Sequence, residues 1–328
     1  MTVFTGLDVH KKSYHATVMD KDGAILRQED FPNTLEEVKS FFADVKDGEV
    51  ALEASYFWEP VYDELEEMGF KVKLAHPRKT RIIADEKIKT DVRASEALAH
   101  LLRIGWLPEA YVPSKDIRKL RELLRRRVSL VESRTKYKNK VRAELTKRRI
   151  RLDGTPWYGP WMDQLETLEI DAIGDYIAIV QSLDDRIDKI EKEIKEKTDE
   201  SKEVKIIMSI TGFSYFSAMT IHASIGEIDR FPGPKQLCSY FGVIPSTEKS
   251  GSKVRHGSIT KEGDRYVRRV LIQCAWSHVN NCNSYITRLF KRLERKKRSS
   301  IAIVAAARKI TEAIYWMLKR GEEFRPSG

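Results

Sequence analysis

The pattern of hydrophobic and polar positions changes period several times in the first hundred residues. Alternating apolar and polar positions predict a meander of three antiparallel strands, at 3–9, 15–19 and 24–31. The later pattern predicts further elements, namely a helix from the N-cap Asn33 through residue 42, a strand at 50–53, a helix near 56–67, a strand at 71–75, and helical segments from 77 and over 90–104. The predicted order is βββαβαβα, an α/β unit.

Beyond residue 108 the periodicity becomes helical. The pattern predicts one long helix over 114–150 and, after a turn-rich loop at 153–161, a second helix whose apolar positions Leu183, Ile187 and Ile190 follow a heptad. We expect an antiparallel coiled-coil stalk, and we favour the interpretation that these seams, including Leu120 and Leu124, also form a dimer contact. A purely intramolecular stalk is the alternative.

The rest of the chain is predicted to be mostly helical, apart from a loop-rich stretch over 241–269. We therefore divide the chain into three predicted domains. They are an α/β domain at 1–108, a stalk at 109–204 and a helical domain at 205–328.

The charge of the chain indicates a class of function in addition to a fold. The 328 residues contain 59 Lys and Arg against 49 Asp and Glu, a formal net charge of +10, which favours a polyanionic partner. Solvated helix faces are the alternative, but the excess is clustered, which favours nucleic acid. The candidate contacts are Arg118, Arg121, Arg125, Lys138 and Arg142 on the long helix and Lys253, Arg255, Lys261, Arg265 and Arg268 further on.

Cysteine usage and hydropathy indicate the compartment. The three cysteines, Cys238, Cys274 and Cys282, form no metal-binding spacing and are interpreted as reduced core residues. No apolar run reaches the length of a membrane span, and the N-terminus lacks the order of a signal peptide. We therefore expect a cytoplasmic protein without a membrane partner.

Three acids fall where the predicted elements could bring them together. Asp8 lies where the first strand should end, Glu53 ends the strand at 50–53, and Asp91 begins the helix over 90–104. Each acid alone is more often a helix cap or a surface charge. Together, at one edge of a sheet, they predict a Mg²⁺ site for phosphoryl chemistry.

A fourth acid would be expected one helical turn after Asp91. The positions on the same face are Ala94 and Ser95, and Glu96 is predicted to point away. Either three carboxylates suffice, or Ala94 stands where an aspartate would complete the metal site.

The α/β element order resembles that of ribonuclease H and RuvC-like nucleases. Short motifs then resemble those of the DEDD-type insertion-sequence 110 transposases, which are related to the pilin-gene invertases and are guided by a bridge RNA. In the α/β part the motifs are GLDVHK (6–11), LEAS (52–55), HPR (76–78), KTD (89–91) and ALA (97–99). In the helical part they are ITG (210–212), IGEIDRF (225–231), YFGVIP (240–245), SG (250–251) and GSITKEGD (257–264).

This resemblance implies a catalytic mechanism. Asp8, Glu53, Asp91 and position 94 would form the DEDD tetrad, so Ala94 breaks the tetrad and is expected to impair activity. Ser250 would be the nucleophile that forms a phosphoserine intermediate. The residues alone leave Ser252 an equal candidate, and only the resemblance separates the two.

The resemblance also implies partners: donor and target DNA, and an element-encoded non-coding guide RNA that reads sequence by base pairing. We expect a homodimer or a dimer of dimers, because strand exchange needs two cutting centres held together. Two other functions stay open. One is a RuvC-like junction nuclease that uses metal-activated water, and the other is a non-catalytic nucleic-acid scaffold.

Overall fold

The structure is a computed structural model that describes residues 2–45, 47–83, 90–250 and 253–327, without the side chains of residues 82, 248–250 and 253–256. The contacts divide the chain into two compact units, Met1–Val112 and Pro113–Gly328. The sequence pattern predicted three domains, with the stalk separate from the helical domain. Within the second unit the long helices share a hydrophobic core with the helices that follow them.

The first unit contains the predicted βββαβαβα order. Its strands are β1 (Val3–Val9), β2 (Ser13–Met19), β3 (Ile25–Pro32), β4 (Gly48–Glu53) and β5 (Lys71–Ala75). Its helices are α1 (Leu35–Phe42), α2 (Trp58–Glu67), α3 (Pro77–Ile83) and α4 (Asp91–Arg103). The five strands form one sheet in the order β3-β2-β1-β4-β5, in which the meander is antiparallel and β1, β4 and β5 run parallel.

The two faces of the sheet carry different helices. Leu7 and Leu52 point to the face covered by α1 and α2, where Phe41 and Phe42 are buried. Ala51 points to the opposite face, which α4 covers. Because side chains alternate along a strand, the even positions of β1 lie on the α4 face.

The predicted N-cap of α1 is one residue off. Thr34 caps the helix by accepting a hydrogen bond from the backbone N–H of Glu37 at 3.3 Å. Asn33 instead donates from Nδ2 to the carbonyl of His10 at 2.8 Å, and its Oδ1 accepts from Tyr14. Its amide is therefore used to hold the turn between β1 and β2.

The described residues of the second unit form helices and one β-hairpin. Its helices are α5 (Lys115–Lys147), α6 (Pro160–Glu166), α7 (Asp171–Glu200), α8 (Lys202–Met208), α9 (Tyr215–Ile225), α10 (Pro234–Tyr240), α11 (Arg265–Asn281), α12 (Tyr285–Glu294) and α13 (Ser299–Arg320). One face of α13 carries Ala302, Ala306, Ile310 and Ile314, all with 0% exposure, in the centre of the core. Cys238 and Cys274 are buried there as free thiols, whereas Cys282 is half-buried.

Helices α5 and α7 run antiparallel, as expected for the helical hairpin. Arg127 of α5 donates from Nε to Glu191 of α7 at 3.1 Å, and Arg134 pairs with Asp184 further along. The antiparallel direction follows because the higher-numbered residue of α5 pairs with the lower-numbered residue of α7.

The apolar seams of this hairpin were interpreted as a dimer contact, and that interpretation is wrong for most of them. Leu124, Ile187 and Ile190 are 4%, 2% and 7% exposed in the single chain. Leu124 and Ile190 belong to the same core as α9 and α13. These side chains are already covered by the chain's own helices and have little apolar surface left for a second copy.

The stretch expected to be loop-rich contains a β-hairpin, formed by β6 (Pro245–Ser250) and β7 (Lys253–Ile259). Its strands are short and mostly polar, so they lack the apolar alternation that would have predicted them. The base of the hairpin is tightly packed. Gly242 has φ +65°, and a Cβ there would lie 2.0 Å from the carbonyl oxygen of Glu262, so only glycine fits.

Across the described residues, every helix is either too short or too polar to span a lipid bilayer.

Candidate metal centre and nucleic-acid surface

Strand register places the first two acids side by side. Strand β1 pairs in parallel with β4, and Leu7 lies opposite Leu52. Asp8 and Glu53 follow these two residues, so they lie at the carboxyl ends of neighbouring central strands. Both occupy the alternation positions that face α4.

Helix α4 brings the third acid to the same edge. Thr90 caps the helix by accepting from the N–H of Arg93 at 3.3 Å, so Asp91 is the first helical residue. The helix lies very close to β1, because a Cβ on Gly6 would be 1.9 Å from the carbonyl oxygen of Ser95 and 2.5 Å from the N–H of Ala99. Gly6 therefore sets the distance between the helix that carries Asp91 and the strand that carries Asp8.

These groups line one cavity of about 440 Å³, which we call the acidic cavity. Asp8, Glu53, Asp91 and Ala94 all lie on its wall, so the structure brings the three predicted carboxylates together with position 94. Three arginines, Arg78, Arg81 and Arg93, also line it. An acidic centre with arginines around it suits a phosphodiester and a cation together.

His10, which the sequence did not predict as a site residue, also lines this cavity. Its Nε2 lies 3.3 Å from Oδ2 of Asp8 and 3.2 Å from Oδ1 of Asp91. These three side chains form a group whose ligand atoms all lie within 4.8 Å of one another. Glu53 lines the same cavity but does not belong to that group. The available signal was the spacing, because residues 8 and 10 lie two apart at the end of a strand.

The acidic cavity is electrostatically suited to a cation. Burial raises the pKa of Asp8 above its ordinary value of 3.8, His10 opposes that rise, and the neighbouring charge of Asp91 adds to it. A cation bound between the two carboxylates would relieve their repulsion and replace the water that burial removes. The residues present therefore fit a divalent metal, with a mixed oxygen and nitrogen donor set.

A buried hydrogen-bond network fixes α4 behind this cavity. The hydroxyl of Ser95, which is 0% exposed, lies 2.7 Å from Nδ1 of His15 and 2.7 Å from Oγ1 of Thr17. His15 pairs with Asp8 in the β1–β2 register. The network therefore connects the residue after Ala94 to the strand next to Asp8.

The candidate nucleophile lies in the second unit. Ser250 is the last residue of β6, and its backbone pairs with Lys253 of β7. The alternative nucleophile Ser252 lies outside the described residues, as do the side chains of Ser250, Lys253 and Arg255. Lys261 and Arg265 follow the hairpin and are exposed.

The two basic segments predicted separately meet in the second unit. Arg125 of α5 lies 3.7 Å from Asp264, and Arg269 of α11 donates to Glu132 of α5 at 2.9 Å. The side chains of Arg125 and Arg269 are 61% and 58% exposed. Together with Arg265 they surround Asp264 and Glu132 on one surface, where three arginines face two acids and which we call the basic junction.

Two other arginines that were predicted to contact nucleic acid donate hydrogen bonds to backbone carbonyls of the second unit. Arg121 donates to the carbonyls of Ala223 and Ser224 at the end of α9. Arg268 donates to the carbonyls of Glu262 and Gly263.

Three further basic residues of α5 differ in exposure. The ammonium of Lys138 lies over the ring of Trp157, 4.7 Å from its centroid, and burial lowers the pKa of this lysine. Arg118 is half-buried, whereas Arg142 is exposed.

Comparison with known protein families gives two matches. Residues 5–148 match a family model described as "Transposase" of the DEDD IS110 type. Residues 204–291 match a second model, "Transposase IS116/IS110/IS902 family". The first match includes every residue of the acidic cavity, and the second includes the β6–β7 hairpin.

Individual relatives agree with these models. A Pseudomonas aeruginosa protein that bears the name of a family 20 transposase is 24% identical over 98% of both chains. A Sinorhizobium fredii protein that bears the transposase name y4qE is 28% identical over 59% of this chain and 49% of its own length. The transposase for insertion sequence element IS1111A of Coxiella burnetii is 32% identical over 36% of this chain and 34% of its own. The matched part is thus half or less of the last two relatives.

Proposed function

We propose that this chain, in which residues 5–148 and 204–291 match models of IS110-type transposases, is a recombinase that cuts and exchanges DNA strands through a phosphoserine intermediate at Ser250. The observation that carries the proposal is the acidic cavity. Asp8, Glu53, Asp91 and the wall position of Ala94 meet at the carboxyl ends of β1 and β4, with arginines beside them. That arrangement suits a divalent metal and a phosphodiester, and it lies within the matched family region.

The proposed covalent step exchanges one phosphoester for another. The Ser250 hydroxyl oxygen attacks a backbone phosphorus and loses its proton to a neighbouring base. The new serine–phosphorus bond forms as one phosphorus–oxygen bond of the DNA breaks, and the departing DNA oxygen takes up a proton. Rejoining reverses these exchanges with a different DNA hydroxyl, so no external energy source is needed. A divalent metal such as Mg²⁺, bound in the acidic cavity, would supply charge neutralisation for the phosphoryl oxygens.

Ala94 makes this chain an impaired member in our proposal. The residue lies one helical turn after Asp91 and presents only a methyl group to the cavity. An Ala94→Asp substitution would add a fourth carboxylate to the cavity, with those of Asp8, Glu53 and Asp91. We expect this variant to bind a divalent metal more tightly and to exchange strands faster than the chain with Ala94.

The serine mechanism is tested in the Ala94→Asp variant, which we expect to be active. In Ala94→Asp protein, Ser250→Ala should abolish the covalent protein–DNA adduct while leaving DNA affinity nearly unchanged, because it removes the attacking group and none of the basic contacts. Ser252→Ala, two residues away, is the matched control and should keep the adduct. Denaturing gels with labelled DNA measure both.

The outcome separates the proposal from its alternatives. An undiminished adduct in Ser250→Ala protein would reject the serine mechanism. Metal-dependent cleavage without any adduct would favour a RuvC-like junction nuclease. If Ala94→Asp protein binds DNA but neither cuts nor joins it, the chain is a nucleic-acid scaffold, the alternative to which the incomplete tetrad at Ala94 lends support.

We propose the basic junction as the nucleic-acid contact of the second unit, and donor DNA, target DNA and an element-encoded guide RNA as its partners. Arg125, Arg265 and Arg269 gather positive charge from two distant segments on one exposed surface. Protein purified at low salt from cells carrying the element should retain a discrete RNA and release it as salt rises, because phosphate contacts release counterions. Recovery of protein free of RNA under those conditions would indicate an enzyme that acts on DNA alone.

We also propose that two or four copies act together, because strand exchange needs paired cutting centres. The contact must use surface other than the buried positions Leu124, Ile187 and Ile190. Light scattering of the nucleic-acid complex tests this, and the mass of a single copy would overturn it.

A further inference from the structure

We propose that His10 is a metal ligand, and that Asp8, His10 and Asp91 together bind a divalent transition-metal ion in preference to Mg²⁺. The inference rests on the proposed function, because it concerns the metal of the same acidic cavity. It adds His10 to the metal ligands expected from the carboxylate tetrad. It also names a transition-metal ion in place of Mg²⁺ as the preferred ion.

The geometry of the three side chains fits one bound ion. Nε2 of His10 lies 3.3 Å from Oδ2 of Asp8 and 3.2 Å from Oδ1 of Asp91. Donor atoms about 2.0–2.2 Å from one ion, at octahedral or tetrahedral angles, lie roughly 2.9–3.5 Å apart. Both separations from the imidazole nitrogen fall in that range, and all three ligand atoms lie within 4.8 Å of one another.

The backbone holds His10 in this place. Its N–H donates to the carbonyl of Ser13 at 3.0 Å, and its carbonyl accepts from Nδ2 of Asn33 at 2.8 Å. Both bonds close the turn between β1 and β2, and they fix the backbone of a residue that follows the central strand directly. The side chain itself is 48% exposed, which leaves the cavity open to an entering ion.

The donor set then decides which ion is preferred. Mg²⁺ selects oxygen ligands in near-ideal octahedral geometry, whereas imidazole nitrogen suits transition-metal ions. Ala94 removes an oxygen donor from the cavity wall, and His10 adds a nitrogen donor beside the carboxylates of Asp8 and Asp91. Both differences shift the preference away from Mg²⁺ and towards ions such as Mn²⁺ and Co²⁺.

The test measures metal binding by the whole protein without nucleic acid. Calorimetric titration should show Mn²⁺ binding at least about tenfold more tightly than Mg²⁺. Pulsed electron paramagnetic resonance of the Mn²⁺ complex should show coupling to a directly bound ¹⁴N nucleus. His10→Asn should remove that coupling and weaken Mn²⁺ binding, whereas His100→Asn should change neither, because His100 is an exposed histidine near the far end of α4.

A second variant keeps the test decisive if His10→Asn fails to fold. Ala94→Asp restores an oxygen donor and should narrow the difference between Mn²⁺ and Mg²⁺ while keeping the ¹⁴N coupling. Equal affinity for the two ions in the unmodified chain would overturn the proposal. So would a Mn²⁺ complex without ¹⁴N coupling, because His10 would then only bridge the carboxylates by hydrogen bonds.

The two proposals can fail separately. One outcome is that Mn²⁺ binds through nitrogen but the Ala94→Asp variant forms no DNA adduct. His10 is then a metal ligand, and the strand-exchange function is rejected. A Mg²⁺-dependent adduct at Ser250 without a nitrogen ligand does the reverse.

Discussion

The acidic cavity and the β6–β7 hairpin place their candidate catalytic groups in different ways. The cavity groups come from three elements far apart in the sequence, β1, β4 and α4, and each element is packed into a five-stranded sheet or against it. Ser250 lies at the end of β6, which pairs only with β7 among the described strands. The first site is held by long-range packing, whereas the second is held by a short ladder and the packing at its base.

This difference explains why the acidic cavity could be predicted from the residues alone, whereas Ser250 could not. Asp8 and Glu53 were expected to meet because neighbouring parallel strands end at one edge. In the structure the residues before them, Leu7 and Leu52, lie opposite each other, and both acids line one cavity. Ser250 has no such topological marker. Its selection over Ser252 rests on the resemblance to the family, and it stays a proposal.

Because the two sites are held in different ways, we expect that a substitution can disrupt either site without affecting the other. The first substitution is at the base of the hairpin. Gly242→Ala should lower the free energy of unfolding by about 3 kcal/mol or more, because it combines a backbone clash with a left-handed φ. The adduct at Ser250 should be lost in the Ala94→Asp background, while metal affinity of the cavity is kept. Urea unfolding and metal titration measure the two effects.

Gly321→Ala is the matched control for that variant. Gly321 has a φ of +66°, almost equal to that of Gly242, but no atom lies within 4 Å of a Cβ there. Its cost should be only about 1 kcal/mol, the conformational part alone. Equal losses in the two variants would show that packing at the hairpin base does not matter.

The reciprocal change disturbs the acidic cavity. Gly6→Ala should cost about 2 kcal/mol, because the new methyl group forces α4 away from β1 and the helix backbone cannot give way cheaply. Metal affinity should fall because Asp91 moves away from Asp8. Nucleic-acid binding at the basic junction should be unchanged.

Gly48→Ala serves as its control, since a Cβ there would meet a methyl group of Val3 at 3.1 Å and the carbonyl oxygen of Val3 at 3.3 Å, both much longer than the 1.9 Å contact at Gly6. That variant should bind metal normally. If Gly6→Ala also binds metal normally, the close approach of α4 does not position Asp91.

The strand β5 was predicted correctly and the seams of α5 and α7 were not, for physical reasons that differ. Strand β5 was predicted at the bounds that it has, because a short run of alternating lysine and apolar residues between two turn signals has few alternatives. The seams of α5 and α7 misled, because heptad spacing shows that a face is buried and does not show what buries it. Here α5 and α7 pack against each other and against the chain's own helix α9.

His10 was missed for a different reason. A histidine in a polar turn gives no hydrophobic signal, and its contact with Asp91 depends on where a helix eighty residues later begins. The network of Ser95, His15 and Thr17 was missed in the same way, since it joins a helix to strands through side chains alone. Such long-range polar contacts carry no periodic pattern.

The smallest expected effect concerns that network. Ser95→Ala should lower the free energy of unfolding by about 1–3 kcal/mol, because it leaves Nδ1 of His15 and the hydroxyl of Thr17 with one buried partner fewer. Metal affinity should fall modestly, because the network holds the first turns of α4 against β2. Ser40→Ala, at an exposed position of α1, should change stability by no more than about 0.5 kcal/mol. If urea unfolding finds the two variants equal, α4 is held by Gly6 and apolar packing alone, and the acidic cavity depends on van der Waals contact rather than on buried hydrogen bonds.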